Sequence, residues 1–387
     1  MFIFERLIGV GTYSLILVFV CLFLKGAKSY KTVRRTLFWY SIILSIMAYF
    51  FIPNTTSDLY RIFNMIENYG DYRFSEIMSS QSQTGLPMLT AILYWLVAKT
   101  GVPNLLPALS AFVCYNCIFY TISRGAEKNK ISCKNVAIAV FFYMSLGTYM
   151  FVISGIRCML GVALCMFCFF RESAEKKFNV FHIPLYLIAA FIHGYVAVIV
   201  AARFIIAIFD NKTNAIRKTI YIFFLIIGIF YVIRNFSSYI QHITDKAEGY
   251  ITGSVYSYFW DYLIGAITAV VLISVIARYK RIKDMGELKL NVLRMYSLCA
   301  LIVAICLCFE FSMFHRTVVY VLPIACMPLL MTELQLCTNE RLAAEKEDRS
   351  LNVPFTFDFV IIMVSLLLLF LSCSRGSLCS YKFLLFS

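Results

Sequence analysis

The chain has 387 residues, of which 61% are hydrophobic and only 14% carry a charge. Its mean hydropathy of +0.80 excludes an ordinary soluble domain and indicates a protein that lies largely within a membrane. The net charge is +14, which in a soluble protein would suggest a nucleic-acid partner. Here the basic residues fall in short clusters between apolar runs, so we expect the lipid bilayer as a partner and no nucleic acid.

The apolar runs recur from Leu7 to Ser372. We therefore predict an all-α, polytopic integral membrane helix bundle of about eleven or twelve transmembrane helices, each long enough for a hydrocarbon core of about 30 Å. These helices would form a single membrane domain over residues 1–387. Loops rich in lysine and arginine stay on the cytoplasmic side of a membrane. This rule assigns the following basic clusters to the cytoplasm: residues 25–35, 124–134, 171–177, 212–218 and 278–289.

Residues 54–85 form the first extracytoplasmic loop in this topology. Ser57 is a residue type favoured at helix N-caps, and after it the pattern predicts an amphipathic helix that can lie along the membrane surface with the apolar face Leu59, Ile62, Phe63 and Ile66. The next apolar segment, Pro87 to Ala98, is short for a span. Because the basic clusters on both sides must be cytoplasmic, an even number of crossings separates them, and we predict that this segment is re-entrant or interfacial.

Arg157 lies where two uncharged apolar runs meet, Val136 to Val152 and Cys158 to Phe170. An arginine in hydrocarbon costs about 2.5 to 3.5 kcal/mol on insertion scales, so we expect it to face a wet cavity or a bound anion. The preceding Ser154-Gly155 predicts a helix break and a new helix start, where backbone N–H groups also attract anions. The alternative is an arginine that reaches back to the lipid–water interface.

The apolar run from Phe178 to Phe209 is too long for one upright span and has basic residues at both ends. We predict a hairpin of two short helices with its tip at His193-Gly194 on the outer side. The alternative is one long tilted helix with His193 in mid-membrane. Further along the chain we predict a second extracytoplasmic loop, an outer turn and a charged cytoplasmic stretch, at residues 235–257, His315-Arg316 and residues 332–353, respectively.

Polar residues from four separate segments gather on the predicted outer side: Asp58, Arg61, Arg157, His193, His315 and Arg316. Their excess is cationic, which suits an anionic ligand such as a diphosphate, because the planar arginine fork can bind two phosphate oxygens at once. Plainer interpretations are a surface ion pair between Asp58 and Arg61, a structural histidine at 193, and an interfacial anchor at 315 and 316. The sequence has no nucleotide-binding glycine loop, so we expect any bound phosphate to arrive on a lipid.

Four stretches of the chain carry a resemblance to a known family. In order they read FFIPNTTSDLYRIF, FVISGIRCMLGVAL, LIAAFIHGYVAVIV and FHRTVVYVLPIACMPLL. Over roughly residues 35–335 the chain resembles the Wzy/EpsG-type polysaccharide polymerases. The SGIR motif with its small-residue helix and the alanine-rich run that ends in histidine are the most specific parts. One departure is Gly85-Leu86-Pro87, where family members often carry an acidic residue before the proline.

The resemblance implies a GT-C-like glycosyltransferase of the bacterial cytoplasmic membrane with an outward-facing active site. Its substrates would be oligosaccharide repeat units on undecaprenyl diphosphate, joined into a capsule, exopolysaccharide or O-antigen chain, and a chain-length regulator would be a further partner. Arg157 would stabilise the leaving diphosphate, and His193 or Asp58 would take the proton of the attacking hydroxyl. The further substrate-binding residues would be Arg61, His315 and Arg316.

Two other functions stay open at the level of sequence. A transporter or flippase would also be polytopic, but such proteins commonly show internal repeats and a midplane site, and no repeat is visible here. A ligase with the same lipid donor but another acceptor has no distinguishing pattern. The 14 cysteines lie mostly in apolar runs without metal-ligand spacing, so we expect neither a metal nor another cofactor.

Overall fold

The structure is a computed structural model that describes residues 2–53, 57–77, 88–174, 179, 181–209, 215–234, 259–288, 290–306, 314–346 and 356–374. Every regular element in these ranges is a helix, which confirms the predicted all-α class. The first half contains α1 Phe2–Lys25, α2 Tyr30–Tyr49, α3 Asp58–Tyr69, α4 Met88–Ala98, α5 Leu105–Lys128, α6 Cys133–Ser145, α7 Thr148–Ser154, α8 Ile156–Phe169 and the π-helix π1 Phe170–Ala174. The second half contains α9 His182–Ile192, α10 Gly194–Phe209, α11 Ala215–Arg234, α12 Phe259–Ala277, α13 Tyr279–Ile282, α14 Leu290–Cys306, the π-helix π2 Arg316–Val321, α15 Leu322–Lys346 and α16 Phe357–Ser374.

One end of the bundle collects basic clusters that the sequence assigns to the cytoplasm. Arg34 pairs with Glu127 across 2.9 Å, and Lys128 pairs with Glu287. These contacts make neighbours of three clusters that are far apart in the sequence. We call this end, which holds residues 25–35, 124–134 and 278–288, the basic end.

The opposite end holds α3, α4 and the breaks between the longer helices. The Thr90 hydroxyl of α4 donates to the carbonyl of Ile192 across 3.1 Å, and Lys99, just after α4, donates to the carbonyl of Gly70 across 2.8 Å. Because both ends of α4 bond to this same end, α4 does not pass through the bundle. This agrees with the even number of membrane crossings that the positive-inside rule predicts between the basic clusters at residues 25–35 and 124–134. We call this end, with residues 154–157, 193–195 and 315–316, the site end.

Helix α3 begins where the sequence predicts. The Ser57 hydroxyl accepts a hydrogen bond from the Tyr60 N–H across 3.2 Å and so caps the helix. The predicted apolar side is largely buried, with Leu59 and Ile66 almost inaccessible. It packs against α4, so protein covers this face, which the sequence alone placed along the membrane surface.

The predicted span from Val136 to Val152 is broken. Helices α6 and α7 meet at an angle of 56° around Gly147, which has a φ of +71°. Glycine adopts this left-handed conformation without the Cβ penalty of other residues, and a Cβ here would also lie 3.0 Å from Ser372. A second break, between α7 and α8 at Gly155, confirms the predicted helix start before Arg157.

The helix break predicted at His193-Gly194 is also present. Helix α9 ends at Ile192, His193 has extended backbone angles of φ −154° and ψ 128°, and α10 begins at Gly194. The alternative of one continuous tilted helix is therefore wrong. The second extracytoplasmic loop, residues 235–257, lies outside the described residues, as do residues 54–56 and 78–85 of the first loop.

Helix length and composition identify the segments that can cross a membrane. Among the described residues, 3 segments are long and apolar enough: Leu105–Lys128, Phe259–Ala277 and Arg316–Ala344. The bent pair α6 and α7 would add a fourth. Other apolar helices, such as α9 and α10, are shorter. A multi-pass membrane bundle is therefore clear, while the number of eleven or twelve crossings stays a prediction.

The predicted cytoplasmic stretch at residues 332–353 begins as a packed helix. The apolar pattern ends at Met331, yet α15 continues to Lys346. Glu333 is fully buried there because Arg278 and Arg281 approach one of its oxygens at 3.3 and 3.2 Å. These two cations compensate a carboxylate that would otherwise be costly to bury, so the helix continues past the apolar run.

Candidate functional site

Arg157 is the second residue of α8 and is half-buried at the site end. One helix ends and the next begins at Gly155, so the arginine sits beside a helix start and not in the middle of a helix. Several arginines of the described chain pair with carboxylates, as Arg61 does with Asp58. No carboxylate of the described residues pairs with Arg157.

Arg316 is the first residue of π2 and is half-buried as well. The buried side chain of Cys158 interacts electrostatically with both Arg316 and Arg157. Helices α8 and π2 are in contact, so the two arginines lie on neighbouring elements although 159 positions separate them in the sequence. Within the described chain Arg316 also has no carboxylate partner. Together the two arginines form a cationic site.

Asp58 borders this site from α3. Helix α3 contacts both α4 and α7, which places α3 and α4 near the break between α7 and α8. Asp58 itself lies 3.0 Å from Arg61, and both side chains are 70% exposed. This is the surface ion pair of the plainer interpretation, so the structure leaves Arg61 paired and solvated and does not bring it into the cationic site.

His193 occupies the break between α9 and α10. Its Nδ1 accepts the N–H of Tyr195 across 3.2 Å and so caps the start of α10. The hydroxyl of the same Tyr195 shares a hydrogen bond of 2.8 Å with Thr317 of π2. The break that carries His193 is therefore tied directly to the π-helix that begins with Arg316.

His315 is the residue before π2. It faces Asp261, which lies in the first turn of α12. The distance between His315 Nε2 and Asp261 Oδ1 is 3.7 Å, and the side chains are 5% and 1% exposed. The sequence analysis missed Asp261. An acidic residue three positions inside the apolar helix Phe259–Ala277 was the available signal, because ionisable residues near membrane spans are functional candidates by default.

Aromatic rings hold the His315 side chain in place. The ring centroid of Phe151 in α7 lies 4.9 Å away, and that of Tyr320 lies 5.5 Å away. The wide turn of π2 brings Tyr320, five residues on, beside the histidine. Single π turns occur often at functional sites in helical proteins, and this one connects His315, Arg316 and the Tyr195 bond.

A second polar cluster that the sequence analysis missed lies toward the basic end. Glu172 of π1 pairs with Arg203 across 3.1 Å, and the side chains are 2% and 5% exposed, respectively. Tyr186 donates to Glu172 across 3.0 Å, and Tyr221 donates to its other oxygen. The sequence placed Glu172 in a cytoplasmic basic cluster, but the structure buries it because these partners satisfy its charge.

The site end can therefore supply two half-buried arginines, a buried histidine–carboxylate pair and a histidine at a helix break. Cationic groups of this kind suit a phosphate-bearing ligand. In the described part of the chain, no three histidine, cysteine, aspartate or glutamate side chains converge as metal ligands.

The described helices and this site define a multi-pass, all-α membrane protein with a cationic site at one end of its bundle. The chain belongs to the EpsG family, whose model matches residues 60–340. That range includes every predicted site residue except Asp58. Comparison with curated proteins and with solved structures gave no match. Membership of this family indicates a glycosyltransferase-like role of the polysaccharide-polymerase type.

Proposed function

We propose that the protein joins oligosaccharide repeat units carried on undecaprenyl diphosphate at the outer leaflet of the bacterial cytoplasmic membrane. The observation that supports this most is the pair Arg157 and Arg316, which lie on the contacting helices α8 and π2 without a carboxylate partner among the described residues. Two arginine forks can bind the oxygens of one diphosphate through charge-assisted hydrogen bonds. The product would be a capsule, exopolysaccharide or O-antigen chain.

The reaction is a substitution at the anomeric carbon of the donor sugar. A hydroxyl of the acceptor sugar attacks that carbon, the bond to the diphosphate oxygen breaks, and the diphosphate leaves with the electron pair. Arg157 and Arg316 stabilise the negative charge that grows on the leaving group, which is the largest electrostatic demand of the step. The attacking hydroxyl must also lose a proton to a positioned base.

The remaining predicted residues have less direct places in this proposal. His193 is a candidate base because it lies at the helix break next to π2, with its Nδ1 used as a helix cap. Asp58, the second candidate base, borders the site but is exposed and paired with Arg61. Arg61 and His315 are proposed contacts of the substrate, and a chain-length regulator is a proposed further partner.

The decisive experiment gives the purified protein in lipid vesicles lipid-linked repeat units and no other protein. We expect a ladder of products that differ by one repeat unit, with free undecaprenyl diphosphate released for each bond formed. Movement of intact units across the vesicle membrane without elongation would instead identify a flippase. Transfer of finished chains only to a different acceptor would identify a ligase, and either result would overturn the polymerase proposal.

A further inference from the structure

Asp261 is a fully buried carboxylate at the site end, only 1% exposed. An ionised carboxylate in such a place is costly unless a cation or hydrogen-bond donor compensates it. His315 approaches one of its oxygens through Nε2 at 3.7 Å. The two residues come from elements 54 positions apart in the sequence, so the fold brings them together.

The pair lies beside the cationic site. His315 immediately precedes Arg316, and Phe151, which touches the His315 ring, lies on α7 just before the break that leads to Arg157. Tyr320 contacts the same ring. Its orientation is therefore set by two rings and a carboxylate from three different elements.

We propose that His315 accepts the proton of the attacking sugar hydroxyl and that Asp261 is its positioning residue. This inference rests on the proposed polymerase function and assigns the base of that reaction to a pair that the sequence did not single out. A carboxylate beside one imidazole nitrogen fixes the proton on that nitrogen and raises the basicity of the other. In the proposed arrangement Nε2, which faces Asp261 at 3.7 Å, carries the resting proton, and Nδ1 accepts the proton of the sugar hydroxyl.

Proton transfer to His315 accompanies formation of the glycosidic bond. The acceptor O–H bond breaks, its proton passes to Nδ1 of His315, and its oxygen forms a bond to the anomeric carbon of the donor. The bond from that carbon to the diphosphate oxygen breaks, and the electron pair leaves with the lipid diphosphate. Asp261 stabilises the imidazolium ion, which then returns its proton to water.

This pair fits the task better than the two bases proposed from the sequence. Asp58 is 70% exposed and paired with Arg61, so its carboxylate is solvated and already partnered. His193 uses Nδ1 to cap α10. A positioned base contributes about 10²- to 10⁴-fold to a rate when its neighbours fix its protonation and geometry, and His315 has the buried carboxylate of Asp261 beside its Nε2.

The test compares Asp261→Asn and His315→Gln with the parent protein in the ladder assay, with initial rates measured at several donor concentrations. We expect each variant to lose on the order of a hundredfold in kcat, with the donor KM nearly unchanged because Arg157 and Arg316 still bind the diphosphate. Asp261→Glu should recover part of the loss. The matched control is Asp284→Asn, since Asp284 is 87% exposed at the basic end.

A purely structural pair would lower the amount of folded protein or change the donor KM together with kcat. To separate these cases when Asp261→Asn accumulates poorly, His315→Ala is assayed with added imidazole. We expect imidazole to restore activity in His315→Ala and not in the double variant that also carries Asp261→Asn. Absence of rescue in the single variant would overturn the assignment.

The outcomes distinguish the two proposals. A ladder from the parent protein together with an unchanged kcat in Asp261→Asn overturns the proton-accepting pair and leaves the polymerase standing. No ladder from the parent protein overturns the polymerase proposal and, with it, the role of the pair. A ladder with a selective kcat loss supports both.

Discussion

Arg157 is the residue whose replacement tests the proposed function most directly. Lysine at this position keeps the positive charge but loses the planar fork that binds two phosphate oxygens at once. A hydrogen bond to a charged group contributes about 1.5 to 3 kcal/mol, and each 1.36 kcal/mol of barrier changes a rate about tenfold. We therefore expect Arg157→Lys to elongate chains about ten- to a hundredfold more slowly and Arg157→Ala to lose more.

The assay is the rate of ladder formation per folded protein in vesicles. Both variants should insert and accumulate, because removing an arginine from an apolar setting does not hinder insertion. Arg34→Lys is the matched control, since Arg34 is 54% exposed at the basic end and pairs with Glu127. If Arg157→Lys works at the parent rate, Arg157 is an interfacial anchor and the diphosphate role is refuted.

Further predictions concern the two ends of the bundle, the requirement for metal and the buried pair of Glu172 and Arg203. Cysteines placed beside Arg157, His193 and Arg316 should be labelled from outside the cell and those beside Lys28, Lys130 and Arg281 from inside; labelling beside Arg157 and His193 from opposite sides would end the shared site. Chelators should leave chain elongation largely intact, whereas a complete loss that added metal reverses would redirect attention to Asp58 as a ligand. Glu172→Ala should destabilise the folded protein by about 3 to 5 kcal/mol because Arg203 stays buried without its partner. Thermal unfolding measures this change, and an unchanged stability would show that the pair does not stabilise the fold.

The sequence predicted well those features that depend on local chemistry. Ser57 caps α3 because its hydroxyl reaches a backbone N–H three residues on, and no distant partner is needed. The breaks at Gly155 and His193 were also predictable. Each lies within an apolar stretch that has basic clusters at both ends, and the positive-inside rule places both of these clusters on the cytoplasmic side. The placement of α4 at one end followed from counting basic clusters on either side of it.

Features that depend on distant contacts were not predictable. The break at Gly147 lies within an uncharged apolar run. The side chain that packs closely against this glycine belongs to Ser372, more than two hundred positions away. The continuation of α15 past Met331 depends on Arg278 and Arg281 reaching Glu333. The pairing of Asp261 with His315 likewise joins two segments whose spacing in the sequence has no period or motif.

These distant pairs bear on why Arg157 and Arg316 are the strongest candidates for ligand binding. The described chain buries acidic side chains at Glu172, Asp261, Glu333 and Asp358, and each has a basic partner within 4 Å. Burying charge without compensation is costly, so the fold supplies a basic group for every one of them. Arg157 and Arg316 differ because they lie half-buried at the site end, and the described residues give neither a carboxylate. Two half-buried cations on contacting helices are stabilised by an anion, and we propose that the lipid-linked diphosphate provides it.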